Sequence, residues 1–193
     1  MKLYLLLIIT VVASCFECRA QKQHRVGFTS INQVGILEGD NGSAFQLQTI
    51  NGVKYRSWSA GIGVGLDYYY LRSIPLFLDL RRNLWNKTNT PFIYADGGLQ
   101  FAWPTPGQKF SSGNGKYYNR PFFDVGIGYK SAIGKHNALL LSAGYTEKYV
   151  YEKMGTPVYY MYTDFYPSPA PTYIPDRYAY TLRRIAIKIG WEF

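Results

Sequence analysis

Cysteine, histidine and charge are all scarce in this sequence. Its two cysteines, Cys15 and Cys18, both fall in the first twenty residues. If that segment is removed, the remainder has no disulfide, thiol chemistry or cysteine metal site available to it. The two histidines, His24 and His136, form neither an HExxH pattern nor a Cys/His metal spacing. Charged residues are 17% of the chain, against about 25% in an ordinary soluble domain. Past residue 20 there is no run of roughly 18 apolar residues, which excludes a membrane-spanning helix. The excess lies in aromatics, at 18% of residues and led by 19 Tyr. Few charges, many tyrosines and no spanning helix together suit a β-barrel in lipid.

The first twenty residues read as an export signal. Lys2 supplies a positive start, Leu3 to Ala13 an apolar stretch of about a dozen residues, and Cys18-Arg19-Ala20 a small-residue cleavage pattern before Gln21. The stretch is shorter than the roughly 20 residues a spanning helix needs. A buried core helix is the plain alternative. A sharper rival is Val12-Ala13-Ser14-Cys15, which is similar to a lipoprotein box and would make Cys15 a lipidated N-terminus. The expected organisation is a signal peptide over 1–20 and one domain over 21–193. Losing Lys2, Glu17 and Arg19 takes the formal charge from +9 to +8. A basic excess suggests nucleic acid in other settings, but export argues against it.

The dominant periodicity is two. At the C-terminus Ile185, Ile187, Ile189, Trp191 and Phe193 share one face, and Arg184, Ala186, Lys188, Gly190 and Glu192 the other. The same alternation runs through Trp58–Tyr68, Leu76–Arg81, Ile93–Trp103, Phe123–Lys130 and Leu139–Thr146. One face is bulky and apolar. The other is rich in Gly with scattered Asp, Arg and Lys, which suits the narrow interior of an eight-stranded barrel rather than a solvated surface. Strands are predicted over 25–37, 44–51, 53–69, 74–85, 91–103, 120–131, 138–151 and 177–193. The first is the least regular, because alternation falters at Asn32 and Gln33. Short turns are expected at Asn51-Gly52 (a strong hairpin dipeptide), Asn86–Thr90 and Gly134–Asn137, and long loops at Pro104–Asn119 and Glu152–Asp176. The predicted fold is all-β: a closed antiparallel up-and-down transmembrane barrel.

These features resemble the small outer-membrane β-barrel proteins of Gram-negative bacteria with OmpA/OmpX-like architecture, across essentially the whole chain beyond the signal. The most specific element is the terminal Phe193 with Trp191 two residues before it, similar to the C-terminal signal read by the barrel assembly machinery. The strings GIGVGLDYYY (61–70), IPLFLDLR (74–81) and TPFIYADGG (90–98) also resemble uncharacterised members. The resemblance implies residence in the bacterial outer membrane. The implied partners are membrane lipid, anionic lipopolysaccharide and, during biogenesis, the assembly machinery. It supplies no catalytic residues and no cofactor. Some barrels of this kind modify lipid A using histidine with serine or acidic partners. His24 precedes the first strand and His136 falls in a short turn, neither at the outer leaflet, so an enzyme is not expected.

Three constellations remain. Asp67, Asp79, Asp96 and Asp124 fall on the interior register with Arg81, Lys130, Arg184 and Lys188. They could form a polar pore or proton path, but buried charges must be paired, which favours an internal structural network. The aromatic strand ends suggest interfacial girdles. Tyr159, Tyr160, Tyr162, Phe165 and Tyr166 on a proline-rich loop could bind a glycan, a protein or lipopolysaccharide sugars, or could cap the barrel. The ligand is not specified. The function expected is a structural or loop-mediated binding role in the outer membrane, with a lipid A-modifying enzyme or a narrow solute channel as the alternative.

Overall fold

The computed structural model describes residues 26–40, 42–106, 116–134, 137–158 and 172–193, with backbone alone at 155–158 and 172–175. Its strands are β1 (Gly27–Gly39), β2 (Gly42–Tyr55), β3 (Trp58–Asp67), β4 (Ser73–Asn83), β5 (Thr90–Ala102), β6 (Lys116–Tyr118), β7 (Arg120–Ile133), β8 (Asn137–Val158) and β9 (Thr172–Glu192). Leaving β6 aside, successive strands pair antiparallel, β5 with β7 included, and β1 pairs with β9 to close the sheet on itself. The short β6 pairs with β8 at Tyr118↔Tyr151, past the last β7 rung at Phe122↔Lys148. Eight strands therefore make the wall.

The register fixes the barrel's geometry. A path straight across the strands starts at Ser131, passes Leu139, Trp191, Asn32, Thr49, Val64, Leu76 and Leu99, and returns to β7 at Pro121, ten residues away. That stagger in an eight-stranded barrel tilts the strands by about 40°. On β9, Ile185, Ile187 and Ile189 are 61%, 59% and 47% exposed, while Arg184, Ala186 and Lys188 are at most 2% exposed. Alternate residues thus line an outward apolar belt and a filled interior. An outward column of nine residues, Ile185 to Phe193, is long enough to cross hydrocarbon at this tilt.

The inward glycines make room for rings. A Cβ at Gly63 would overlap Phe77, one at Gly128 would overlap Phe92, and one at Gly144 would overlap Tyr94. Phe77 and Phe122 meet edge-on at 5.8 Å and 82°. With Ile31, Ile50, Phe92, Tyr94 and Leu140 they form a buried cluster across the lumen. A second cluster of Leu37, Tyr69, Val150, Leu182 and Ala186 sits nearer the loop end.

Several expected boundaries are corrected. Asn51-Gly52 is not a turn: both lie inside β2, paired with Ser30 and Thr29 on one side and with Ile62 and Gly61 on the other. Gly52 is there because a Cβ would strike the β3 backbone at Ala60 and Gly61. The chain reverses at Arg56-Ser57, where Arg56 takes φ of 56°. The strand expected over 53–69 therefore begins at Trp58 and ends at Asp67. Within the loop expected over Glu152–Asp176, residues 152–158 and 172–176 are strand, since β8 and β9 stay paired out to Val158↔Thr172. β1 ends at Gly39↔Arg184, so the β8–β9 ribbon continues past the rim with no β1 partner. The loop expected over Pro104–Asn119 contains β6.

Candidate functional site

The interior side chains form one polar column. Near the end where β1 begins and β9 finishes, Glu192 forms ion pairs with Lys130 and with Lys54, the latter at 3.4 Å. Above them Asp79, Asp96 and Asp124 are adjacent in register across β4, β5 and β7. Arg81 Nε donates to Asp79 at 2.8 Å and Arg81 Nη2 to Gln33 at 3.3 Å. Lys188 Nζ lies 2.6 Å from Asp124 and 3.8 Å from Asp96. The Tyr94 hydroxyl donates to Asp124 at 2.9 Å. These three carboxylates thus face two cations, and neither Asp96 oxygen has a hydrogen-bond donor among the described residues.

A second hub lies nearer the loops. Asp67 accepts from Arg184 Nη1 at 2.8 Å and from the Tyr69 backbone N–H at 2.8 Å, with Lys148 Nζ at 3.4 Å. Lys148 also donates to the Leu71 and Tyr69 carbonyls and to Ser73 Oγ, at 2.9, 3.1 and 2.9 Å. One buried ammonium thereby pins the β3–β4 loop to β8. Three of the interior cations also face rings: Arg81 over Phe92 and Tyr94, Arg184 over Tyr69, and Lys188 over Tyr94. Desolvated cations gain from such faces.

Asp67, Asp79, Asp96, Asp124, Arg81, Arg184 and Lys188 are all buried inside the barrel, and the Lys130 side chain is 12% exposed. Ion pairs divide the eight residues into four groups along the axis: Lys130 with Glu192, Arg81 with Asp79, Lys188 with Asp96 and Asp124, and Arg184 with Asp67. Lys148, Thr146, Tyr94, Glu152 and Glu192 belong to the interior as well and were not singled out from the sequence. Extending the alternation of Leu140, Ser142 and Gly144 by two steps would have found Lys148. Two interior cavities, one beside Lys148 and one beside Lys130, measure about 10 Å³ each, room for about one water. Among the described residues this arrangement holds the interior charges in fixed pairs. No group of three or more His, Cys, Asp or Glu able to hold a metal ion occurs among the described residues.

At the loop end, Tyr70 donates to the buried Glu152 at 2.8 Å. Burial first, then that hydrogen bond and the carboxylate charge, raise the Tyr70 hydroxyl above its ordinary pKa. Tyr178 and Tyr180 stack at 6.4 Å with nearly parallel rings, and Tyr180 also meets Tyr70 at 5.9 Å. These exposed rings were not among the tyrosines picked from the sequence. Tyr159, Tyr160, Tyr162, Phe165 and Tyr166, like His24, His136 and the signal segment with Cys15 and Cys18, lie outside the described residues. At the opposite end Trp191 and Phe193 point outward, 39% and 52% exposed. Phe193 exchanges two backbone hydrogen bonds with Ser30, at 2.8 and 2.9 Å.

A filled, closed, eight-stranded antiparallel barrel with an apolar outer wall defines the class of fold: that of the small transmembrane β-barrels. Solved structures agree. The chain superposes on the Neisserial surface protein A with a TM-score of 0.54 at 12% identity, covering 87% of this chain and 97% of that one. The outer membrane protein OprG of Pseudomonas aeruginosa gives 0.55 at 12% identity, with coverage of 88% and 97%. Outer membrane protein AlkL, solved in lipid bilayers, gives 0.52 at 10% identity, with coverage of 92% and 94%. At these identities the likeness is one of fold. No protein-family model matches the sequence, and no curated protein matches it.

Proposed function

We propose that this protein is an integral outer-membrane barrel, exported by the signal at residues 1–20, that acts by binding at its loop end rather than by conducting or catalysing. The supporting observation is a contrast along one axis. The interior is closed by charge pairs and aromatic rings, with Asp124 and Lys148 fully buried. The β8–β9 ribbon, by contrast, runs beyond the rim, from Arg183 outward, where among the described residues no strand pairs with β9 except β8. Exposed Tyr178 and Tyr180 offer stacking faces there, of the kind that suit sugars or a partner protein. The end with both termini and the short turns faces the periplasm in this reading, and lipopolysaccharide surrounds the other end. The interior network then has a structural role, and the C-terminal Trp191 and Phe193 serve assembly.

The test uses lipid vesicles carrying the full protein or a variant in which residues 152–178 are replaced by a short turn. Both are screened against lipopolysaccharide and a glycan array, and both are tested for ion conductance. The reading expects no conductance from either, and binding by the full protein that the shortened variant loses. Steady conductance from the full protein would favour the channel alternative. Equal binding by both forms would remove the ribbon from the function.

A further inference from the structure

We propose that the lipid-facing wall of β1 and β2 is an interface between two copies of this chain. The inference rests on the reading of the barrel as embedded in lipid. On that wall the outward side chains of Asn32, Thr49 and Asn51 form a polar patch, with Asn32 directly opposite Thr49 and Ser30 opposite Asn51. Thr49 Oγ1 donates to Asn32 Oδ1 at 2.7 Å. The two N–H groups of the Asn32 amide and the whole Asn51 amide have no hydrogen-bond partner among the described residues.

The patch lies within the apolar belt, not at its margin. On β1 it is flanked by Phe28 on one side and Val34 and Ile36 on the other. On β2 it is flanked by Val53 on one side and Leu47 and Phe45 on the other. Hydrocarbon offers no hydrogen bonds, so an unpaired amide there is costly and polar groups act as contacts between membrane-embedded partners. The wall is also hollowed at this point. A shallow, open apolar depression lies over Asn32 and Thr49, bounded by Trp191, Ile189, Val64 and Leu66. A second body can therefore approach the Asn32 amide.

The chemistry selects a second copy as that body. The patch carries no charge, so nothing in it calls for a charged headgroup. A carboxamide both donates and accepts, so it is its own complement. Under a two-fold axis one such patch supplies both sides of the interface, each Asn32 and Asn51 meeting its counterparts.

The experiment uses the full chain with Cys15→Ser and Cys18→Ser, folded in phosphatidylcholine vesicles at high lipid excess. Val34→Cys places a thiol beside the patch. Ile127→Cys places one on β7, whose outward side chain is 67% exposed and away from it. Mild oxidation should give a band of twice the monomer mass from Val34→Cys and none from Ile127→Cys. Adding Asn32→Val and Asn51→Val should abolish that band. It should also weaken association, read by energy transfer between labelled copies, by about threefold per lost hydrogen bond and so on the order of 10²-fold for four. Equal cross-linking from both thiols, or a monomer at every lipid ratio, overturns the interface. So does cross-linking in cells to a different protein only. A heat-modifiable monomer would leave the barrel reading standing, whereas a chain soluble without detergent would remove both.

Discussion

Replacing Asp67 by alanine should cost the barrel roughly 3 kcal/mol. Asp67 is 3% exposed and is the counter-charge of two cations, Arg184 at 2.8 Å and Lys148 at 3.4 Å. Removing one member of a buried ion pair leaves the other as an uncompensated charge, a loss of about 3–5 kcal/mol. The low end applies because Lys148 keeps three other acceptors, the Leu71 and Tyr69 carbonyls and Ser73 Oγ. Asp67→Asn should cost less, since its side-chain oxygen can still accept from the Tyr69 N–H and only the charge is lost. The combined change Asp67→Leu, Lys148→Met and Arg184→Leu should recover most of the stability, because apolar side chains of similar volume can replace a buried charged group at little cost. The assay is reversible urea unfolding in lipid vesicles followed by tryptophan fluorescence. An Asp67→Ala variant within about 0.5 kcal/mol of the parent, or a triple variant less stable than Asp67→Ala, would refute the reasoning.

Gly63→Ala drives a Cβ into the Phe77 ring and should lower stability by about 1–3 kcal/mol. Phe77→Leu in the same chain should restore part of the urea midpoint, and an unchanged midpoint for Gly63→Ala would contradict the ring-over-glycine packing. Ile187→Arg sets a cation on the lipid face opposite Ile36 and Ala143 and should cost roughly 2–4 kcal/mol. Normal insertion of that variant into vesicles would argue that the face is not in lipid. Deleting Phe193 removes its paired hydrogen bonds to Ser30, whereas Phe193→Ala keeps them and removes only the ring. If the ring is an assembly signal, both variants should lower the heat-modifiable fraction in outer-membrane preparations. Normal assembly of Phe193→Ala would assign the effect to the backbone alone.

The wall of the barrel was legible because lipid on one side and packed side chains on the other impose a period of two on every strand. Ile185 to Phe193 show it most plainly, and the closed eight-stranded fold follows from repeating it. The Asn51-Gly52 turn was misread because an outward Asn beside an inward Gly has the same local chemistry as a hairpin dipeptide. Only the cross-strand approach of Gly52 to Gly61 tells them apart, and that is a long-range fact. The faltering alternation at Asn32 was visible as an irregularity in β1. Its meaning depended on Thr49 and Asn51 from another strand. Beyond Tyr151 the sequence suggests a loop because the apolar period vanishes there while the backbone pairing continues. Tyr69 could not be placed in the interior from the sequence, since it follows the end of β3 and turns inward through its N–H bond to Asp67.

The central claim, a lipid-embedded barrel with a filled interior, is tested most directly by spin labels placed singly from Arg184 to Trp191 in vesicles. Collision with oxygen, which concentrates in lipid, should be high at Ile185, Ile187, Ile189 and Trp191 and low at Arg184, Ala186, Lys188 and Gly190. Collision with a water-soluble nickel complex should be low at all eight positions, because the inward ones are packed rather than wet. Nickel access at the inward positions would mean an open lumen, and oxygen access with the opposite phase would mean that the apolar face points inward.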